Sequence, residues 1–301
     1  MRIGLIGCGH LGKIHAKCIQ EVGQLELAGV FDISQQKAQE TAQLFHTTHY
    51  DNLQELIEHC DVIDIVATTT VHYELAKQVI EAQKHCFIEK PIAATVTEAE
   101  KLMELAARYN VVVQIGHVER YNPSFVAALP YISNPYHIEA QRFCKFTLRG
   151  SDVSVVHDIM IHDIDLVLSI VKSEVIDIQA TGYKLVTDNW DYVDARLFFA
   201  NKTMAHLTAS RVASDILRKM CVFQPNNCIS VNFQEKKAEK IEFEREKTVI
   251  HNIPVAEHNA IVTELEDFYH AIQENRTPKV SMNDGYNALV VADKVVAKLL
   301  Q

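Results

Sequence analysis

The chain has 301 residues, 48% of them hydrophobic, and carries a formal net charge of −10. This length and composition indicate a globular protein of about two domains, and the acidic balance argues against nucleic acid or an anionic membrane as its main partner. No stretch of the sequence approaches the ~18 consecutive apolar residues of a membrane span. The seven cysteines are scattered without a C-x-x-C pair, which favours free thiols in a reducing, cytoplasmic location over disulfides or a zinc site.

From Met1 to about His117, short apolar runs alternate with helical patterns. The apolar runs predict strands at Ile3–Ile6, Leu25–Phe31, Val62–Val66, Cys86–Ile88 and Val111–Ile115. The helical patterns lie at Lys13–Val22, Gln35–Phe45, Leu53–His59, Val71–Ala82 and Thr95–Arg108. Apolar strands that alternate with amphipathic helices predict an α/β domain, here residues 1–118, with a parallel, doubly wound sheet. The ligand of such a sheet lies beyond the carboxyl ends of its strands.

The first predicted strand runs directly into a glycine motif. Gly7, Gly9 and Gly12 have the G-x-G-x-x-G spacing that lets a pyrophosphate approach the start of a helix in a Rossmann dinucleotide-binding domain. We therefore expect His10 and Leu11, which lie in the loop before that helix, to contact the cofactor as well. The second strand ends in Asp32. A carboxylate there binds the adenosine ribose hydroxyls and repels a 2′-phosphate, which favours NAD over NADP. The alternative is a glycine-rich turn followed by a helix-capping acid.

Two further segments reach the same predicted edge of the sheet. Their candidate cofactor-binding residues are Thr68, Thr69, His72, Glu89 and Lys90. A lysine beside a nicotinamide can hold a substrate hydroxyl, and the cofactor's charge together with partial burial would lower its pKa. Pro91 restricts Lys90 to extended backbone geometry, which fixes the direction of its side chain. The alternative is a surface lysine followed by a turn proline.

Residues 116–123 form a connector, within which a second predicted domain, residues 119–301, begins. The pattern of this second domain is different. Strands are predicted at His137–Phe146, Val175–Val186, Tyr192–Phe199, Thr203–Arg211, Lys219–Gln224, Cys228–Phe233 and Lys240–Phe243. Helices are predicted at Ser124–Tyr131, Val153–Val171, Glu257–Glu274 and Asn283–Leu300. Successive strands with tight turns indicate an α+β domain with an open, mostly antiparallel sheet. Because one face of such a sheet is often left for a second subunit, we expect a homodimer or homotetramer.

Asp158 and His162 lie four residues apart in a predicted helix and project from one face of it. A carboxylate that orients an imidazole makes a proton acceptor near neutral pH, so both are candidate catalytic residues. With His157 the pair could instead bind a metal ion, but no third and fourth ligand has the required spacing. The remaining alternative is an ion pair on the helix surface.

A substrate phosphate would need a basic pocket in this acidic protein. The candidate cations are Arg120, Arg142, Lys145, Arg149, Arg211, Arg218 and Lys219. A forked guanidinium suits a phosphate. Of these residues we favour Arg120 and interpret most of the others as solvated surface charges. Its neighbours Tyr121 and Asn122 in the connector are further candidates for contact with the substrate.

The ordered set of motifs resembles the glucose–fructose oxidoreductase / inositol dehydrogenase / MocA (Gfo/Idh/MocA) family over essentially the whole chain. The matching residues are Gly7, Gly9, Gly12, Asp32, residues 67–72, Glu89-Lys90-Pro91, Asp158, His162 and the C-terminal run 278–285 with Ala288 and Ala292. The resemblance implies a Rossmann domain, a second domain with an open sheet that often joins subunits face to face, and NAD(P)-dependent chemistry on a sugar or cyclitol. It also implies that Lys90 and His162 carry proton transfer and that Asp158 orients the substrate or His162.

Residues 116–123 and 157–165 further resemble a bacterial branch of the family, the UDP-N-acetylglucosamine 3-dehydrogenases. That resemblance implies hydride transfer from the sugar 3-hydroxyl to the nicotinamide. The alternatives are a dehydrogenase of free sugars or inositol, a reductase built like the biliverdin reductases, and a non-catalytic NAD-binding sensor. Lys90, Asp158 and His162 count against the sensor.

Overall fold

The computed structural model describes residues 1–147, 150–151, 153–243, 245 and 247–300. It divides the chain into two compact units. The first comprises Met1–Val118 together with Asn259–Tyr286, and the second comprises Glu119–His258 together with the chain from Asn287 onward. Each unit is therefore built from two separate stretches of sequence.

The first unit contains a parallel sheet with helices packed against it. Its strands are β1 (Arg2–Ile6), β2 (Glu26–Phe31), β3 (Val62–Ile65), β4 (His85–Glu89) and β5 (Val113–Gly116), in the order β2-β1-β3-β4-β5. Its helices are α1 (His10–Glu21), α2 (Gln35–Phe45), α3 (Leu53–His59), α4 (His72–Glu81), α5 (Val96–Tyr109) and α8 (Ala260–Gln273). The chain moves from β1 to one side for β2 and to the other side for β3. This reversal is the switch point at which ligands bind in open α/β sheets.

The apolar composition of the central strands explains their position. Every residue of β3 and β5 is buried, as is every residue of β1 except Arg2, as expected for parallel strands that are covered on both faces. The core of this unit includes Ile3, Leu5 and Phe87. The predicted doubly wound parallel sheet is confirmed.

The segment Asn259–Tyr286 belongs to the first unit, although the sequence pattern placed it with residues 119–301. Leu265 and Phe268 of α8 are fully buried in the first core, and the Phe268 ring meets the Phe87 ring edge-on at 5.8 Å between centroids. The side-chain amide of Gln114 donates to the Glu264 carbonyl oxygen at 2.9 Å. The apolar face of α8 thus covers the first sheet.

The second unit contains a sheet in which eight strands are described. They are β6 (His137–Phe143), β7 (Val175–Tyr183), β8 (Tyr192–Phe199), β9 (Met204–Ser210), β10 (Leu217–Gln224), β11 (Asn227–Asn232), β12 (Lys237–Phe243) and β13 (Thr248–Ile253). Their order is β13-β12-β11-β10-β6-β9-β8-β7, and β6 and β9 run parallel while the other pairs are antiparallel. The helices are α6 (Pro123–Ala128), α7 (Ile161–Val171) and α9 (Met282–Leu299), which begins in the first unit.

Alternation along these strands separates two faces. Ile138, Val193 and Leu207 point into a core shared with α7 and α9. In each strand, the residues on either side of them in sequence point to the opposite, more polar face. The predicted mostly antiparallel sheet is confirmed. Strand β13 was not predicted, because along this edge strand Ile253 is the one fully buried position and the period-2 signal is weak. Among the described residues, no helix has the length and apolar character needed to cross a membrane.

Candidate active site

The glycine loop after β1 has the geometry of a phosphate cradle. Gly7 has a φ of +100°, and a Cβ atom there would lie 2.5 Å from the Val66 carbonyl oxygen at the end of β3. A Cβ atom on Gly12 would collide with the Gly7 carbonyl oxygen, whereas one on Gly9 would meet no described atom within 4 Å. None of the described side chains caps α1 at Gly9. The open space and the N-terminal N–H groups of α1 therefore fit the pyrophosphate of a dinucleotide.

Asp32 lies beside this loop at the end of β2. One carboxylate oxygen accepts the backbone N–H of Cys8 at 2.8 Å, and the other accepts the N–H of Ser34 at the same distance. Each oxygen keeps a second acceptor site that a ribose hydroxyl can use. Asp32 therefore holds the glycine loop against β2 and still has the capacity to bind a ribose.

The side chain of Ile33, immediately after Asp32, is 96% exposed. Sequence reasoning missed this residue. An exposed apolar side chain next to the candidate ribose-binding acid provides a surface on which the adenine of a dinucleotide can pack. The signal that would have identified it is an isoleucine in a turn, where apolar residues are uncommon.

The other predicted cofactor-binding residues of the first unit differ in exposure. His10 and Thr68 are exposed, Leu11, Thr69 and Lys90 are half-buried, and Glu89 and His72 are buried. Thr68 precedes the 3-10 turn Thr69–Val71, which leads into α4. The exposed and half-buried residues surround the carboxyl ends of β1, β3 and β4.

His72 is 1% exposed and connects two loops. Its Nδ1 atom lies 2.8 Å from the Pro91 carbonyl oxygen, and its Nε2 atom lies 3.1 Å from that of Ala67. Burial lowers the pKa of His72 despite these two acceptors. We assign its N–H to the shorter contact, with Pro91, because a neutral imidazole has one N–H to donate. His72 thereby fixes the turn that carries Lys90.

Glu89 and Lys90 lie where β4 ends. Glu89 Oε2 accepts the backbone N–H of Lys90 at 3.2 Å. A Cβ atom on Gly116 of the neighbouring strand would lie 2.7 Å from Glu89 Oε1, so glycine is needed there to make room for the carboxylate. Behind Glu89 lies His15, a fully buried residue that the sequence did not single out.

In the second unit, Asp158 lies in a π-helical turn, Val156–Met160, and His162 lies in the first turn of α7. Both are half-buried. A Cβ atom on Gly150 would lie 2.5 Å from Asp158 Oδ2, so the loop before the helix runs close to that carboxylate. The π-helical turn was not predicted, and such turns are frequent at functional sites. Within the described residues no group of three or more His, Cys, Asp or Glu side chains forms a metal site.

Arg120 and Tyr121 lie in the interior of the second unit, and Asn122 is half-buried. The Arg120 guanidinium donates to Asp165 through Nε at 2.8 Å and Nη2 at 2.6 Å. Tyr121 is 2% exposed, and its carbonyl oxygen lies 2.9 Å from His258 Nε2. Asn122 caps α6 by accepting the Ser124 N–H. All three residues thus contribute to the scaffold of this unit.

A second buried arginine, Arg142, anchors α7, the helix that also carries Asp165. Arg142 donates to Asp163 at 2.8 Å and to Glu119 at 2.6 Å. Burial opposes the charge of Arg142, but the two carboxylates raise its pKa above the usual value. Asp163 and Asp165 follow His162 by one and three positions, so both arginines hold the turn of α7 that carries this histidine.

Among the other candidate cations, Arg211 donates to the carbonyl oxygens of Gly150 and Val153 at 2.9 and 2.7 Å. It therefore holds the loop beside Asp158. Arg149 lies outside the described residues. Lys145, Arg218 and Lys219 belong to the second unit, Lys145 just after β6 and the other two in β10.

Two family models match the chain. The model of the oxidoreductase family with the NAD-binding Rossmann fold, GFO/IDH/MocA, matches residues 1–117, and that of the GFO/IDH/MocA C-terminal domain matches residues 133–223. UDP-N-acetylglucosamine 3-dehydrogenase of Acidithiobacillus ferrooxidans is 34% identical over 289 residues, which cover 92% of this chain and 90% of that protein. This chain belongs to the GFO/IDH/MocA family.

Further comparisons agree with this family assignment. A solved structure of the Acidithiobacillus ferrooxidans enzyme has a TM-score of 0.94 at 32% identity and covers 100% of this chain and 99% of its own. Inositol 2-dehydrogenase of Rhizobium meliloti is 23% identical over 325 residues, covering 100% of this chain and 97% of that protein. The predicted family is confirmed. As a GFO/IDH/MocA member, the chain is an oxidoreductase that acts on CH–OH groups with a nicotinamide cofactor.

Proposed function

We propose that this GFO/IDH/MocA protein is an NAD-dependent dehydrogenase that oxidises the 3-hydroxyl of UDP-N-acetylglucosamine. The similarity to an enzyme of that name over 92% of the chain carries the choice of substrate. The Asp32 carboxylate carries the choice of cofactor, because a negative charge at the ribose disfavours the 2′-phosphate of NADP.

The roles of the protein side chains follow from their chemistry. When bound, the nicotinamide accepts the hydride. Lys90 holds the reacting oxygen and stabilises the negative charge that develops on it, and His162 accepts the hydroxyl proton. Asp158 orients the imidazole of His162. The reverse assignment, with Lys90 as base, uses the same groups.

The first test is a substrate panel followed by NADH absorbance. The panel contains UDP-N-acetylglucosamine, UDP-glucose, free N-acetylglucosamine, glucose 6-phosphate and myo-inositol, each with NAD and with NADP. We expect turnover with UDP-N-acetylglucosamine and NAD, and a product that NMR identifies as the 3-keto sugar. Turnover confined to unactivated sugars or inositol would exclude the proposed substrate, and a preference for NADP would exclude the proposed cofactor.

A second test locates the substrate and cofactor directly. Crystals of the Lys90→Ala variant soaked with NAD and UDP-N-acetylglucosamine should show the sugar 3-hydroxyl facing nicotinamide C4. A different hydroxyl in that position would change the proposed regiochemistry while leaving the reaction class in place.

A further inference from the structure

A buried ionic cluster lies directly behind the lysine that ends β4. The cluster consists of His15 on α1, Asp64 on β3 and Glu89 on β4. His15 Nδ1 lies 2.8 Å from Asp64 Oδ2, and His15 Nε2 lies 3.1 Å from Glu89 Oε1. His15 and Asp64 are 0% exposed, and Glu89 is 8% exposed. All three residues belong to the first unit.

The charges of the cluster are arranged as an alternating row. Burial opposes a charge on His15, but Asp64 and Glu89 raise its pKa well above the usual value, so His15 is an imidazolium at neutral pH. Burial also opposes a charge on Glu89, yet its neighbours His15, Lys90 and His72 lower its pKa. One buried imidazolium therefore faces two buried carboxylates, and the Lys90 ammonium is the next cation in the row.

The Glu89 carboxylate connects His15 to Lys90. Its Oε1 atom faces His15, and its Oε2 atom accepts the backbone N–H of Lys90 at 3.2 Å. On the other side, the absence of a Cβ atom on Gly116 makes room for the carboxylate. His72 holds the next carbonyl, that of Pro91. The carboxylate is therefore held between His15 and the backbone of Lys90.

We infer that His15 and Asp64 are positioning residues for Lys90, acting through Glu89. The His15 imidazolium neutralises Glu89 from behind. As a result, Glu89 binds the backbone of Lys90 and depends less on the Lys90 ammonium to compensate its charge. Without His15, the two carboxylates lose their buried cation, and the Lys90 ammonium is drawn toward them. Lys90 then loses its orientation and becomes more basic. The catalytic part of this inference rests on the proposed function of Lys90, but the effect on its basicity does not.

The groups that set the charge of Glu89 come from four elements. They are His15 on α1, Asp64 on β3, His72 on α4 and Lys90 at the end of β4. Cys86 also lies near Asp64, but burial raises the pKa of its thiol well above the usual value, so it is uncharged near neutral pH. His15 is the one group of this set that is both fully buried and a cation.

The test measures the basicity of Lys90 without any substrate. Competitive labelling of the full chain with acetic anhydride at a series of pH values, read by mass spectrometry, gives the pH profile of Lys90 relative to the exposed Lys17. We expect the His15→Gln variant to shift the Lys90 profile to higher pH and to lower kcat by about 10-fold or more with little change in the KM for NAD. His59→Gln, at an exposed position of α3, is the matched control and should match the wild type.

A second variant remains informative if His15→Gln does not fold. Asp64→Asn keeps an acceptor for His15 Nδ1 but removes one of the two carboxylates, so the pKa of His15 should fall into the accessible range. Nitrogen-15 NMR of labelled histidines reports when His15 loses its proton. We expect the rate at which Lys90 is labelled in this variant to change its dependence on pH at that same pH.

These measurements separate the inference from the proposed function. A folded His15→Gln variant with the wild-type Lys90 profile would overturn the inference, as would a His15 titration in Asp64→Asn that leaves Lys90 reactivity unchanged. A shifted Lys90 profile in a protein that does not oxidise UDP-N-acetylglucosamine would support the cluster's effect on Lys90 while removing the proposed substrate.

Discussion

The Asp32 carboxylate accepts the backbone N–H of Cys8 at 2.8 Å, so the acid expected to select the cofactor also holds the glycine loop. Two functions of one side chain can be separated by substitution. Asp32→Asn keeps an acceptor for Cys8 but removes the charge that repels a 2′-phosphate. Asp32→Ala removes both.

We therefore expect Asp32→Asn to relax the discrimination against NADP with a modest rise in the KM for NAD. Asp32→Ala should relax discrimination and also weaken both cofactors, because the loop loses its anchor. The measurement is kcat/KM with NAD and with NADP for both variants. Cofactor preference that stays at the wild-type value in both would remove Asp32 from cofactor selection.

Lys90→Ala and His162→Ala should each reduce turnover at least ~100-fold, as expected for groups that transfer or stabilise a proton. NAD binding, measured by the quenching of protein fluorescence, should persist in both variants. Lys101→Ala on the exposed surface of α5 is the control for the lysine. Wild-type rates in either variant would exclude that residue from the mechanism.

Substitutions in the buried pair Arg120–Asp165 test whether Arg120 supports the scaffold or contacts the substrate. Breaking a buried ion pair leaves one uncompensated charge, so Arg120→Met should lower the free energy of unfolding by about 3–5 kcal/mol. The double variant Arg120→Met/Asp165→Leu removes both charges and should recover most of that loss. Urea unfolding measures stability, and the KM for the nucleotide sugar measures the other role. A stable double variant with a greatly raised KM would show that Arg120 binds substrate.

The buried cluster also predicts how stability depends on pH. The folded-state pKa of His15 lies well above 6.5, so its contribution is complete below 6.5 and is lost as the pH rises through the raised value. The folded-state pKa of Glu89 lies below 4.5, so its contribution is complete above 4.5 and is lost as the pH falls. Burial raises the pKa of Asp64 above 3.8, and this opposes stability as the pH rises through that range.

We therefore expect the wild-type protein to be more stable against urea than the His15→Gln variant. Measured from about pH 4 to pH 9, this difference should be largest between about pH 5 and pH 6.5. The difference should shrink at alkaline pH as His15 loses its proton. A difference that is constant across the range would indicate that His15 contributes packing alone.

Local patterns predicted the Rossmann fold, and the proposed cofactor-binding residues rest on the same patterns. The glycine spacing, Asp32 and the apolar strands depend on neighbours within one βα unit, so their signal is visible in a short window of sequence. The pairing of His15 with Asp64 spans 49 positions and that of Arg120 with Asp165 spans 45. Nothing local distinguishes His15 from any other histidine on a helix, or Arg120 from a solvated cation, so tertiary packing alone reveals these partners.

The return of residues 259–286 to the first unit has a consequence for biosynthesis. A ribosome releases the whole of the second sheet before it releases α8, so the nascent cofactor-binding unit lacks the side chains that cover Phe87 while later residues are still being made. Strand β5 also lacks one hydrogen bond until Val280 has been made, because the Val280 carbonyl oxygen accepts the Ile115 N–H at 3.2 Å. Each unit therefore stays incomplete until its second stretch, near the end of the chain, has been made. A fragment that stops at residue 118 would expose this apolar surface to aggregation.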